Sequence, residues 1–276
     1  MKNRIVILLL FSMSIISYGK EIAVVGSFNT LHLGWSGKEY DKAAQVVSMF
    51  DIVALQEVMS EDGLIKLKEE TEEFSKEKWE YIISEKSAGS DKYREYYAFL
   101  YKKRKVKLIK KYGFYKEKSE SDFAREPFCA EFKIGKFDFT FVTVHLTFGD
   151  EKTDRQKEAL LLGEVYDYFQ NLNGVEQDIL ICGDFNLPAY DGAFKPLLSH
   201  KDNIYYGIDP TVKTTIGKNG LSSSYDNIFY SYKYTKEFTG DSGAFDFTDG
   251  NYKEVRKTIS DHLPVFMEFN IEKDDD

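Results

Sequence analysis

Short apolar segments rich in Val, Ile, Phe and Tyr recur along this chain, and many begin or end on a carboxylate, an amide or an imidazole. They occupy residues 22–28, 52–56, 79–84, 96–101, 128–132, 137–145, 178–183, 226–230 and 265–269. Runs this short, bounded by polar and turn-forming residues, predict strands rather than helices. In 137–145, Phe139, Phe141, Thr143 and His145 alternate with Thr140, Val142 and Val144, so both faces carry bulk and the strand needs cover on both sides. Helical spacing appears at 40–50, at 64–74 and, longest, at 154–172, where Leu161, Val165, Tyr168, Phe169 and Leu172 recur near a 3.6 period. No linker or repeat interrupts the series. The expected fold is α/β: two packed, mostly antiparallel β-sheets flanked by helices in a four-layer α/β/β/α sandwich. At 276 residues and 42% hydrophobic, the chain can fill such a core, which excludes a disordered or fibrous protein.

The first residues form a separate unit. Lys2 and Arg4 precede an apolar run over 5–16, and Ser17 and Gly19 stand at −3 and −1 before Lys20. This predicts a secretory signal peptide over 1–19, then one domain over 20–276, with a secreted or periplasmic location. The apolar run is too short for a comfortable membrane span, and nothing later approaches ~20 apolar residues. No stable membrane association is expected, and the protein is read as a monomer. Of the two cysteines, Cys182 lies in an apolar run and reads as a buried thiol; its pairing with Cys129 is left open. The formal net charge of −9 excludes a uniformly basic nucleic-acid-binding coat, and loss of Lys2 and Arg4 with the leader makes the mature chain more acidic still.

Function is written at the segment ends: Asn29, Gln56-Glu57, His145, Gly183-Asp184-Phe185-Asn186, Tyr225-Asp226 and Ser260-Asp261-His262-Leu263-Pro264. One Asn or Asp after a strand is usually a turn former. A whole series of such tips in one chain points instead to a site assembled where a rigid scaffold meets solvent. Carboxylate and amide oxygens without a Cys or His cluster suit Mg²⁺, Mn²⁺ or Ca²⁺ better than Zn²⁺. Two histidines beside spare carboxylates suit proton transfer near neutral pH. Together they point to hydrolysis of a phosphate ester.

These motifs, in this order, resemble the endonuclease/exonuclease/phosphatase superfamily over about residues 22–269. Within it the chain resembles the deoxyribonuclease I branch. That finer likeness rests on Tyr93-Arg94-Glu95, on Phe123-Ala124-Arg125-Glu126-Pro127 and on Phe245-Asp246-Phe247. The resemblance implies a secreted, Mg²⁺-dependent endonuclease acting on DNA with little sequence specificity, with Mn²⁺ and Ca²⁺ as alternative ions. It implies that His145 and His262 flank the scissile phosphate, oriented by Glu95 and Asp226. Asn29, Glu57 and Asp261 would hold the metal, Asp184 and Asn186 would complete the site, Arg125 would bind a flanking phosphate and Tyr93 would lie against a sugar. Where the branch places two groove-entering arginines, this chain has Leu31 and Met59, and its disulfide beside the Gly-Asp-Phe-Asn loop is missing. The basic run over 102–118 reads either as a source of backbone contacts or as a Lys-protected edge hairpin. His32 is expected at the rim and His200 on the surface. The alternative within the same fold is a secreted phospholipid or sphingomyelin phosphodiesterase, which would want exposed aromatics such as Tyr205-Tyr206 for membrane contact.

Overall fold

The computed structural model describes residues 21–90, 93–119, 122–172, 174 and 176–274; the expected leader over 1–19 lies outside the described residues. In chain order the elements are β1 (Ile22–Leu33), α1 (Tyr40–Val47), β2 (Ile52–Val58), α2 (Glu61–Ser75), β3 (Trp79–Ile83), β4 (Ala88–Ser90), β5 (Tyr93–Lys102), β6 (Val106–Phe114), β7 (Phe128–Ile134) and β8 (Phe137–His145). Then follow α3 (Lys152–Leu160), α4 (Leu162–Leu172), β9 (Ile179–Asp184), a 3₁₀ turn (Gly192–Phe194), α5 (Lys195–Leu198), β10 (Ile204–Tyr206), β11 (Asp226–Ser231), β12 (Phe238–Ala244), α6 (Tyr252–Thr258) and β13 (Val265–Asn270).

One sheet runs β12-β13-β1-β2-β5-β3, with β4 paired to β5; the other runs β10-β11-β9-β8-β7-β6. Each is antiparallel except for one central parallel pair, β1 with β2 and β8 with β9. Parallel neighbours finish at the same end, and the antiparallel strands beside them begin there. The C-terminal tips of β2, β8 and β9 therefore gather with the starts of β5 and β11 on one edge of the sandwich.

Three apolar cores separate the four layers. Between the sheets, Phe99 of β5 meets Phe132 and Phe141 of the opposite sheet at centroid distances of 5.3 and 5.1 Å. Outside the first sheet, α1, α2 and α6 cover β1, β2 and β5; outside the second, α3, α4 and α5 cover β8 and β9. Both central strand pairs are thus buried on both faces, as the double-sided bulk of 137–145 requires. Cys129 and Cys182 are buried and free.

One sequence expectation needs correction, and one that was left open is resolved. The helix over 154–172 is two helices: the N–H of Leu161 bonds the carbonyl of Glu158, three residues back, and this tightened turn ends α3 before α4 begins. The apolar stripe continues across the break, which is why periodicity alone shows a single helix. The basic run over 102–118 contains edge strand β6, and most of its cations have partners. Lys102 and Lys105 hold Asp51, Lys103 holds Glu80, Lys111 holds Glu85 and Lys118 holds Glu164. This is the protected-edge arrangement.

Because Phe99 fills the space between the sheets, Phe99→Ala should cost about 3–5 kcal/mol, measured as a fall in denaturant midpoint at unchanged m-value.

Candidate active site at the strand tips

Register builds the centre of the site. His145 of β8 pairs with Asp184 of β9, and Asp184 pairs with Asp226 of β11, so three functional residues stand in one row across three strands. Residues directly opposite in neighbouring strands point to the same face. Gly183 permits this close approach: its φ is +144°, and a Cβ there would lie 1.9 Å from the Val144 carbonyl oxygen. The other sheet meets this row through Asn29, whose amide donates to Glu57 Oε1 at 3.0 Å and to Asp184 Oδ2 at 3.1 Å. Just beneath, Gln56 Nε2 donates to Ser27 of its own sheet and to Thr143 of the other.

Two imidazole–carboxylate pairs face each other across the cleft. His145 Nδ1 lies 2.9 Å from Glu95 Oε1, and His262 Nδ1 lies 2.8 Å from Asp226 Oδ2. Each engaged Nδ1 leaves Nε2 free to face inward, and both Nε2 atoms stand 3.5 Å from the same oxygen, Asp184 Oδ2. Burial and the Arg125 guanidinium push His145 down, but Glu95 and Asp184 outweigh them and leave it above its ordinary value. Burial opposes protonation of His262 too, and Asp226, Asp184 and Asp261 together hold it well above the usual range. Burial likewise works against ionised Glu95, yet His145 and Arg125 keep it below the ordinary carboxylate value. Asp226 is pushed up to about 6 by burial and by Asp184, against the pull of His262.

The neighbouring loops lock this arrangement. Thr214 donates to Asp226 at 2.6 Å, and Ser260 donates to the Asn29 carbonyl at 2.6 Å while accepting from His262 N–H. Arg125 is buried; its Nε and Nη2 donate to the carbonyls of His145 and Leu146, and its plane lies 5.9 Å from the Tyr93 ring. Asn186 donates its amide to Leu146 O and its backbone N–H to Asp184 Oδ1. Leu31, His32, Glu57 and Asn186 all have positive φ, between 42° and 57°. Non-glycine residues held there cost ~1–3 kcal/mol each and persist only where surrounding contacts determine them.

Asn29, Glu57, Tyr93, Glu95, Arg125, His145, Asp184, Asn186, Asp226, Asp261 and His262 all lie at this one edge, although their local roles differ. The cleft, about 740 Å³, is lined by Glu57, Tyr93, Arg125, His145, Asp184 and His262, among others. Asp261 faces it while paired with Arg256 at 3.1 Å. Asn29 turns its amide nitrogen, not its oxygen, toward Glu57 and Asp184; its Oδ1 accepts the Leu31 N–H. The Tyr93 hydroxyl is buried beside Glu57, and burial, Glu57 and Glu95 keep it un-ionised.

Asp184, Asp226 and His262 offer ligand atoms within 4.8 Å of one another and so could hold a metal ion. Asp226 meets His262 Nδ1 and the Thr214 hydroxyl through Oδ2, which makes it the carboxylate that orients His262. Glu57 and Asp261 also line the cleft and are further oxygen donors of the kind a hard divalent ion takes. Both attract the half-buried Lys38 ammonium, which burial lowers to about 8 against their pull.

Sequence reasoning missed Glu158, Thr214 and Lys38. Glu158 is buried on α3 and accepts the N–H groups of Ala124 and Thr147, tying the Arg125 loop to the loop after His145. A carboxylate falling on an apolar helical stripe was its available signal. His32 is at the rim as expected, 3.3 Å from Glu57. His200 is a correction: its imidazole is largely buried between Asp167 and Asp202 and beside Tyr166, because short α5 folds it back against α4.

A deoxyribonuclease of Thioalkalivibrio sp. (strain K90mix) is 30% identical over 258 residues, 89% of this chain and 70% of that protein. Deoxyribonuclease gamma of Rattus norvegicus is 30% identical over 264 residues, 87% of this chain and 82% of the relative. An endonuclease/exonuclease/phosphatase family protein of Bacteroides thetaiotaomicron superposes with a TM-score of 0.63 at 21% identity, over 91% of this chain and 98% of the other. No protein-family model matches the chain. The fold is that of the endonuclease/exonuclease/phosphatase superfamily, a class of phosphoester hydrolases, and this chain is a hydrolase acting on phosphodiester bonds. Within that superfamily it belongs to the deoxyribonuclease I-like family.

If Glu95 helps hold His145 above its ordinary value, Glu95→Gln leaves Asp184 alone to oppose burial and Arg125. The His145 imidazole should then titrate lower than in the unaltered protein, read by NMR with the His145→Gln spectrum for assignment.

Proposed function

We propose that this protein is a secreted, divalent-metal-dependent endonuclease that hydrolyses DNA with little sequence specificity. The observation that carries this reading is the pair of imidazoles, each backed by a buried carboxylate, converging on Asp184 Oδ2 at 3.5 Å. One imidazole takes the proton of the attacking water, and the other donates a proton to the leaving 3′ oxygen, leaving a 5′-phosphate end. Glu95 and Asp226 fix the Nδ1–H tautomers, so both Nε2 atoms face the phosphate. Asn186 and Asp184 contact the phosphate region, the remaining guanidinium N–H groups of Arg125 bind a flanking phosphate, and Tyr93 lies against a sugar.

Glu57 and Asp261, with Asn29 after rotation of its amide, would hold the ion; Mg²⁺ is the proposed metal, with Mn²⁺ and Ca²⁺ as alternatives. When bound, the ion supplies charge neutralisation at the phosphate and at the developing oxyanion. Residues 1–19 are proposed to direct export and the rest to form the catalytic domain, acting as a monomer.

The lipid phosphodiesterase alternative finds less support. Tyr205 and Tyr232 are exposed, but they cluster at the far end of β11 from Asp226, about 17 Å along the strand. A membrane contact there would turn the cleft away from the lipid. Among the described residues no helix is long and apolar enough to cross a membrane.

Plasmid DNA incubated with the mature protein and Mg²⁺ should become nicked, and chelator should stop the reaction. His145→Ala and His262→Ala should each lower kcat by ~10²–10⁴-fold while the circular dichroism spectrum stays unchanged. Absence of nicking with every divalent ion, or full activity in both variants, would overturn the proposal.

A further inference from the structure

Beside the catalytic residues, at the lip of the cleft, an exposed aromatic pair is held in a fixed pose. Trp35 is 53% exposed, whereas the chain's other tryptophan, Trp79, is 1% exposed. The Trp35 indole stacks on the His32 imidazole, with centroids 4.0 Å apart and planes 22° from parallel. His32 meets the Tyr93 ring edge-on at 5.7 Å, and Tyr93 faces Arg125. A row of π surface therefore runs from the cleft, which His32 and Tyr93 line beside His145, outward to the indole.

An isolated exposed apolar side chain needs no explanation. This one is pinned. Trp35 N–H bonds the His32 carbonyl, Met59 N–H bonds the Leu33 carbonyl, and His32 N–H bonds Glu57 Oε2 at 3.1 Å. Gly34, with φ +111°, packs where a Cβ would come within 2.4 Å of Ser60 Oγ, which presses the loop onto the start of α2. The loop is held at both ends while its indole face is left uncovered.

We propose that the His32–Trp35 pair is a stacking platform for an unpaired base of the substrate strand, so that single-stranded or locally unpaired DNA is the preferred substrate. This rests on the DNA-hydrolysing reading above. In a duplex both faces of each base are covered by its neighbours, so an indole face can be used only by a base outside the stack. Residues 31–35 include no Lys or Arg to grip the phosphates of a duplex. The loop's cation, Lys38, turns inward onto the carbonyls of Thr30 and Ile259. Stacking is also tolerant of sequence, since every base has a π-face. In an acidic chain it supplies affinity that does not depend on charge.

The isolated exposed indole makes a direct test available. In the His262→Ala protein with Mg²⁺, titration with oligothymidylate should quench tryptophan emission saturably, and a hairpin duplex of equal length should quench it less. Trp35→Phe in that background should remove the response, because only buried Trp79 remains. In the otherwise unaltered enzyme, Trp35→Ala should raise KM for single-stranded DNA at least about fivefold, with a smaller change in kcat. Trp35→Phe should restore most of the loss. No quenching together with an unchanged single-strand KM overturns the platform, even where the unaltered enzyme still nicks plasmid and the DNase reading stands. An equal rise in KM on duplex and single strands overturns the strand preference. If the unaltered enzyme cleaves no DNA, the DNase reading falls, and quenching alone then decides whether the platform binds bases.

Discussion

The carboxylate of Asp184 is the constraint on which the rest of the site depends. One of its oxygens stands 3.5 Å from each of two imidazole nitrogens and accepts the Asn29 amide at 3.1 Å, so it joins both histidine pairs and both sheets. Its position is set by backbone geometry. It ends a central strand flanked in register by His145 and Asp226, and Gly183 lets the neighbouring strand come close enough for that row to form. The sandwich behind it, with its Phe-rich interior, keeps the two sheets from sliding past one another.

Electrostatics follow from that placement. Several buried carboxylates crowd one edge, and burial alone would favour their neutral forms. The imidazoles of His145 and His262, with Arg125 and Lys38, lie among them, and for Glu95 the pull of His145 and Arg125 outweighs burial. The net charge of −9, which at first argues against a polyanionic substrate, is partly the requirement of such a centre. A bound divalent ion reverses the local sign, whereas the remaining acidity still repels a polyanion at long range. Association with a polyanion should therefore lean on contacts that do not depend on charge.

Much of this was legible beforehand. The apolar runs at 52–56 and 137–145 became β2 and β8 because residues buried on two faces leave a continuous hydrophobic trace. Elements with weaker traces were not visible: β12 is half-exposed and rich in Gly and Ser, and α6 is one short amphipathic stretch. His200 looked like a surface residue because nothing local reveals that Asp167, thirty-odd positions away, comes to meet it.

The sequence by itself determined the layered α/β fold and the family, since those depend on local burial patterns and on motifs that are contiguous in the chain. Only the tertiary structure decided how the residues of the site act together. The sharing of Asp184 Oδ2, the inward amide of Asn29, the tie made by Glu158 and the exposed indole stacked on His32 all arise from strand register and positive-φ loops. Such geometry depends on which distant backbones meet, and that is fixed by packing rather than by any local run of residues.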